Sequence, residues 1–225
     1  MNDIFERIRS NNPWWKSFSA IGDDPLLLDL AGKRYQYFHP LISTLPLNKD
    51  GVMTIRGPRR VGKSTLLRLI IKKLLQKEKT PKEAVFSFAC DRITDYNELF
   101  AVIKTYLDFA RPRTNSRLFI FLDEISFVKN WQLAIKEMVD AGLLKNSLMI
   151  LSGSSILDLR YAEGIFPNIF YYPLSFGEFV NIIDPSLISN SEVLSLTYRL
   201  PKLSKLFDDY LLTGGFMKII NEYFT

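Results

Sequence analysis

Gly57-Pro58-Arg59-Arg60-Val61-Gly62-Lys63-Ser64 satisfies the phosphate-loop pattern G-x-x-x-x-G-K-[ST] at every fixed position. Just before it, Val52-Met53-Thr54-Ile55 is β-branched or apolar and reads as a short buried strand. Just after it, Leu66, Ile70 and Leu74 form one i, i+4 stripe and Leu67, Ile71 and Leu75 another, which predicts a helix from Ser64 to Gln76. Two glycines permit a tight turn whose N–H groups approach phosphate oxygens. The helix start adds unpaired N–H groups and the positive end of a dipole at the same place. In such a loop Gly57 to Thr65 cradles the phosphates, Lys63 reaches the β- and γ-phosphates as a mobile charge, and Ser64 ligates Mg²⁺ through its hydroxyl. A chance Gly/Lys loop before an ordinary helix is the alternative, and it has to account for eight matching positions in the right context.

A second chemical site is expected sixty residues beyond Lys63. Leu118-Phe119-Ile120-Phe121-Leu122 is an unbroken apolar run suited to a strand buried on both faces of a parallel sheet. It ends in Asp123-Glu124, which would emerge at the carboxyl end of the strand, where α/β sheets hold ligands. Asp123 is then placed to hold Mg²⁺ opposite Ser64, and Glu124 to orient an attacking water, since phosphoryl transfer mostly requires positioning and charge stabilisation. A small-molecule kinase is disfavoured by the same acids, because kinases need water excluded. Leu148-Met149-Ile150-Leu151 predicts a further strand ending in Ser152-Gly153-Ser154-Ser155. A polar side chain there either senses the γ-phosphate or holds the water, or else Ser154 or Ser155 caps a helix.

Elsewhere the pattern predicts helices over Asp3–Asn11, Asp95–Ala110 and Asn130–Asp140, the last with Trp131, Ala134, Ile135, Met138 and Val139 inward. Strands are expected at Ala84–Ala89 and Asn168–Leu174, and helices through most of Ser175–Thr225, divided by Thr213-Gly214-Gly215. Asp95 and Glu98 have capping-box spacing. Trp14 and Trp15 are costly to leave in water and are expected to dock on the body of the domain. Asp24 to Leu30 with Tyr35 to Phe38 predicts a strand pair or an extended arm, and Tyr35 or Tyr37 is a candidate wall for adenine. His39, the sole histidine, has no ligand cluster around it and is given no metal or catalytic role.

Of 225 residues, 47% are hydrophobic and 24% charged, ordinary values for a globular chain. No window approaches the ~20 apolar residues of a membrane span, the start lacks a signal-peptide pattern, and Cys90 is the only cysteine, so a cytoplasmic home is expected. Net charge is +5, but Arg56–Lys82 holds ten Lys/Arg and one acid, a local +9 that leaves −4 for the rest. The outer residues of the loop helix, Arg68, Lys72, Lys73 and Lys77, read as a solvated face, with a nucleic-acid patch as the alternative.

Strands alternating with helices after a phosphate loop imply an α/β sheet covered on both faces. The phosphate loop, Phe121-Leu122-Asp123-Glu124-Ile125, Trp131, Leu151-Ser152-Gly153-Ser154-Ser155, Tyr172-Pro173-Leu174-Ser175-Phe176-Gly177-Glu178-Phe179 and Leu212-Thr213-Gly214-Gly215-Phe216 occur in an order that resembles the prokaryotic AAA-type P-loop ATPases commonly linked to a downstream restriction-nuclease-like domain. The resemblance implies an additional-strand P-loop NTPase with a five-stranded parallel sheet in the order 5-1-4-3-2 and a C-terminal helical lid. It divides the chain into an arm (1–50), an ATPase core (51–174) and a lid (175–225), with ATP and Mg²⁺ as cofactors and Ser154 as sensor. Hydrolysis would drive or gate a DNA-processing or defence-related partner domain; the alternative is a nucleotide-gated switch with little hydrolysis. A homo-oligomer and a nucleic-acid partner are compatible with it. The family's Gly-Arg pair is replaced by Gly164-Ile165, leaving Arg160 as the nearest arginine, Met217 stands where proline is usual, and the nuclease-like half is absent from the chain.

Overall fold

A computed structural model describes residues 2–154, 168–188 and 196–224. Five parallel strands, β1 (Gly51–Arg56), β2 (Val85–Ala89), β3 (Leu118–Asp123), β4 (Ser147–Gly153) and β5 (Asn168–Phe170), form one sheet in the order β2-β3-β4-β1-β5. This is the expected order read from the opposite edge, and the α/β class holds with it. The fourth strand lies between the other two central ones, with Ile55 level with Ser152 and Leu122 level with Leu151. The loop after β1, the acids after β3 and the serines ending β4 therefore reach one rim of the sheet. Residues 118–122 are all buried, which suits a strand covered on both faces.

Both leucine and isoleucine stripes of α4 (Lys63–Gln76) are buried in the main core. Asp95 caps α5 (Tyr96–Ala110) by accepting from the N–H groups of Asn97 and Glu98 at 2.9 and 3.1 Å. Glu98 reaches back to the Thr94 N–H at 3.3 Å and pairs with Arg7 at 2.7 Å, so the reciprocal half of the box is shifted by one residue. In α6 (Trp131–Asp140), Trp131, Ala134, Ile135 and Met138 are buried, whereas Val139 is 44% exposed; one step of about 100° beyond Met138 carries it off the inner face.

The N-terminal helix α1 (Asn2–Asn11) and the turn after it lie along the outer edge of β2. Asn12, fully buried, accepts from the Ser87 N–H at 2.7 Å and donates to the Ser87 carbonyl at 3.0 Å. The indole N–H groups of Trp14 and Trp15 both donate to the Val85 carbonyl, at 2.9 and 3.0 Å. Asn11 accepts from the Ala89 N–H at 3.3 Å.

At three further places the structure departs from what the sequence pattern predicts. Residues from Pro25 to Gly32 are a helix, α2, and not part of a strand pair. Asp24 caps it by accepting from the Leu26 N–H at 3.0 Å, and Pro25 stands at its first turn, where a missing N–H costs nothing. The last strand ends at Phe170 instead of Leu174. Tyr171 still donates to the Arg56 carbonyl at 2.7 Å, but the Leu174 N–H turns away to the Gly215 carbonyl at 2.9 Å. Arg68 is not on a solvated face: it pairs with Asp24 at 3.0 Å, and Lys73 donates to the carbonyl of Ile42 in α3 (Leu41–Thr44) at 3.2 Å.

After the sheet come α7 (Phe176–Ile183), α8 (Leu196–Thr213) and α9 (Met217–Tyr223). Leu174, Phe179, Val180, Leu187 and Ile220 form a second apolar cluster, on which Tyr35 and Tyr37 of the arm also rest. Among the described residues no helix is long and apolar enough to cross a membrane. Ser155, Arg160, Gly164 and Ile165 lie outside the described residues.

Candidate functional site

The chain leaving β1 has to reverse from strand into helix within a few residues. A Cβ at Gly57 would lie 2.2 Å from the carbonyl oxygen of Tyr171, so the turn passes too close to neighbouring backbone for any side chain. Gly62, at φ 113°, and Arg60, at φ 65°, take left-handed conformations that complete the reversal. Lys63 opens α4 with only 5% of its surface exposed, and its Nζ donates to the carbonyls of Gly57 and Pro58 at 2.9 and 2.8 Å. Burial pushes the Lys63 pKa down; the carboxylates of Glu124 and Asp123 push it back up, and Arg59 lowers it further. That electrostatic reach joins the loop to the end of β3: a desolvated ammonium and two carboxylates from distant parts of the sequence face one region. Ser64 and Thr65 follow on the first turn of the helix.

Asp123 ends β3, and Glu124 follows at φ 55°, a left-handed residue that turns the chain sharply off the sheet. The Glu124 N–H donates to Asp123 Oδ1 at 3.1 Å and to Ser152 Oγ at 3.4 Å. Ser152 in turn donates a short hydrogen bond to Asp123 Oδ1. Ser154 Oγ donates to Glu124 Oε2 at 3.5 Å. Both acids are thus each met by one hydroxyl from β4 or its end. The helix-capping alternative for Ser154 depends on residues 155–167, outside the described residues. Ser152 carries no signal in the sequence beyond being a polar residue at a strand end; only the register that sets it beside Asp123 reveals its position.

Two cavities flank the loop. The larger, about 380 Å³, is lined by Tyr35, Tyr37, His39, Arg60, Val61, Gly62, Thr65 and Tyr171 among others. The other, about 270 Å³, is lined by Arg59, Ser126, Phe127 and Ser154. In the larger, His39 packs on Tyr171 with ring centroids 4.4 Å apart and planes tilted by 32°, and its Nδ1 accepts from the Leu41 N–H at 3.1 Å. Burial pushes the His39 pKa down, against a smaller opposing pull from Glu178. Burial, then Glu178, pushes Tyr171 up to about 12. Tyr37 donates to Glu178 Oε1 at 2.6 Å while Glu178 Oε2 accepts from the Ser175 N–H at 2.8 Å, so one carboxylate caps α7 and anchors the arm. Asn221 of α9 grips the arm as well, accepting from the Tyr35 N–H at 3.0 Å and donating to the Tyr35 carbonyl at 2.9 Å. A single histidine and a tyrosine after a strand gave no sequence reason to put His39 and Tyr171 in this wall.

The donor set suits a phosphorylated ligand with a hard cation. The loop offers the N–H groups at a helix start, a buried ammonium and the Ser64 hydroxyl, and the end of β3 adds the Asp123 carboxylate: nitrogen donors for phosphate and oxygen donors for magnesium. Among the described residues no three His, Cys, Asp or Glu side chains cluster as a ready-made metal cage. Magnesium here would take most of its ligands from phosphate and water, as it commonly does.

Residues 49–180 match a protein-family model described as an AAA domain. An uncharacterized protein of Methanocaldococcus jannaschii, MJ1637, is 27% identical over 137 residues, 59% of this chain and 28% of that protein. The chain therefore spans less than a third of the length of this curated relative. Among solved structures, Cdc6p from Pyrobaculum aerophilum is similar with a TM-score of 0.43 at 18% identity, over 64% of this chain and 45% of that one.

Proposed function

This chain belongs to the AAA domain family, and from that premise we propose that it binds ATP with Mg²⁺ and hydrolyses the terminal phosphoanhydride bond. The observation that carries this reading is that the loop with the buried Lys63 ammonium and the acids Asp123 and Glu124 follow β1 and β3 on the same rim, either side of β4, near enough for the carboxylates to raise the Lys63 pKa against burial. Lys63 exchanges its two carbonyl partners for β- and γ-phosphate oxygens, and the backbone from Gly57 to Thr65 cradles the phosphates. Ser64 and Asp123 are the residues that would hold magnesium. When bound, the ion neutralises charge on the β- and γ-phosphate oxygens. Glu124 orients the attacking water and accepts its proton, and Ser154 holds the carboxylate in position. The base lies in the aromatic cavity against Tyr35 or Tyr37.

In this reading residues 1–50 act as an arm on an ATPase core of 51–174, and 175–225 as its lid. Turnover drives or gates a DNA-processing or defence-related partner, in the cytoplasm, with self-association and nucleic-acid contact as further parts of the proposal. A second reading, a nucleotide-gated switch with slow turnover, draws on the Ser154–Glu124 hydrogen bond, which engages the carboxylate that has to meet water. Calorimetry with Mg²⁺–ATP, followed by phosphate release from the wild type and Glu124→Gln, tests both. The ATPase reading expects heat of binding in each protein and hydrolysis slowed by about 100-fold or more in the variant. Wild-type turnover in Glu124→Gln, or no heat in either protein, overturns it; tight retention of ATP with negligible phosphate release favours the switch.

A further inference from the structure

Arg59 and Arg60 are neighbours on the phosphate loop, yet they line different cavities. The left-handed backbone at Arg60 breaks the usual run of the chain between them. Arg60 lies on the aromatic cavity, while Arg59 shares the other one with Ser126, Phe127 and Ser154. Its guanidinium carbon sits over the Phe127 ring, 5.7 Å from the centroid. Phe127 closes the single turn Ile125–Phe127 that begins directly after Glu124, so the arginine rests on the segment that carries the water-directing carboxylate. Ser154, on the wall of the same cavity, donates to that carboxylate at 3.5 Å. The Arg59 charge also acts on Lys63, adding to the effect of burial in lowering that ammonium's pKa. Arg59 and Lys63 thus lie within electrostatic reach of each other on one loop, so a phosphate seated on the loop would draw on both cations.

We propose that Arg59 is a catalytic arginine acting in cis: its guanidinium bonds the oxygens of the terminal phosphoryl group during transfer, from the side of the Ser154 cavity. This rests on the ATPase reading above. The water oxygen bonds to the terminal phosphorus as the bond to the bridging β–γ oxygen breaks; that electron pair leaves with ADP and the water proton passes to Glu124. Arg59 exchanges no atom. It contributes a planar fork of donors matched to two phosphoryl oxygens, and Phe127 limits the orientations the fork has to lose on binding. An arginine supplied within the same chain is an established way to stabilise the charge of this step.

The test uses the full chain, wild type against Arg59→Ala and Arg59→Lys. It measures affinity for Mg²⁺–ATP by calorimetry, affinity for Mg²⁺–ADP with aluminium fluoride as a mimic of the transferring group, and the single-turnover rate. Arg59 is exposed, so both variants should melt like the wild type. Arg59→Ala is expected to lose about 100-fold or more in mimic affinity and in rate, with ATP affinity changed about fivefold or less. Arg59→Lys should recover part of the loss, because it restores charge without the fork. Equal mimic binding and rate in Arg59→Ala and wild type overturns the inference alone. So does a parallel fall in ATP and mimic affinity, which would make Arg59 an ordinary ground-state contact. Recovery of turnover on mixing Arg59→Ala with Lys63→Ala chains would show action across an interface and refute the cis assignment. A wild type that binds no Mg²⁺–ATP, or binds it without trapping the mimic or turning over, overturns the ATPase reading and this inference together.

Discussion

A methyl group at position 57 would have to occupy the space of the Tyr171 carbonyl oxygen, 2.2 Å away. Both sides of that contact are backbone held by the sheet, since the Tyr171 N–H donates to Arg56. Gly57→Ala should therefore cost about 3 kcal/mol or more and lower the melting temperature, with nucleotide affinity falling alongside. His39 sets a different residue-level expectation. The unfolded imidazole takes its proton near 6.5, while the folded one, with its pKa lowered, takes it only at more acidic pH. Below about 6.5 the unfolded chain binds more protons than the folded one, so stability falls as pH drops through that window, and the loss is complete once pH passes the folded value. Thermal melts from pH 8 to 5 should show this slope in the wild type and a flatter one in His39→Gln. At this scale the strand-to-helix turn from Gly57 to Ser64 was legible, because it follows a fixed local spacing. Ser152, His39 and Tyr171 were not legible, because their places depend on which strand lies beside which.

Between elements, the binding of α1 and its following turn to β2 depends on side chains imitating a strand. Asn12 takes both the N–H and the carbonyl of Ser87, the two groups that a sixth strand would use. Asn12→Ala leaves those buried groups without partners and should cost about 2–4 kcal/mol by denaturant titration, while Asn11→Ala, at the half-buried end of the same edge, should cost about 1 kcal/mol or less. Most elements were readable from apolar period and length. The exceptions have physical causes: the leucine-rich run after Pro25 suits either period until Asp24 is recognised as a cap, and Asn168–Leu174 is an apolar aromatic run whose second half bonds to Gly215 instead of to the sheet. Strand order was available only through family resemblance, since no local pattern states that the fourth strand inserts between the first and third.

Over the whole molecule, the Tyr35–Tyr37 stretch of the arm is tied to the helices that follow the sheet. Asn221 holds Tyr35 by two hydrogen bonds, Glu178 holds Tyr37, and both aromatic rings rest on the second apolar cluster. The aromatic cavity is therefore framed by parts that would shift together. Loosening this grip with Asn221→Leu should weaken Mg²⁺–ATP binding by about tenfold, read by calorimetry, and leave the melting of the main core nearly unchanged.

The amide of Asn12 has one more implication, for assembly. With Val85, Ser87 and Ala89 already bonded to the arm, the β2 margin offers no row of vacant peptide groups to another polypeptide. Copies of the protein cannot fuse their sheets end to end across that border. Any ring or filament they build has to be joined at other flanks of the molecule.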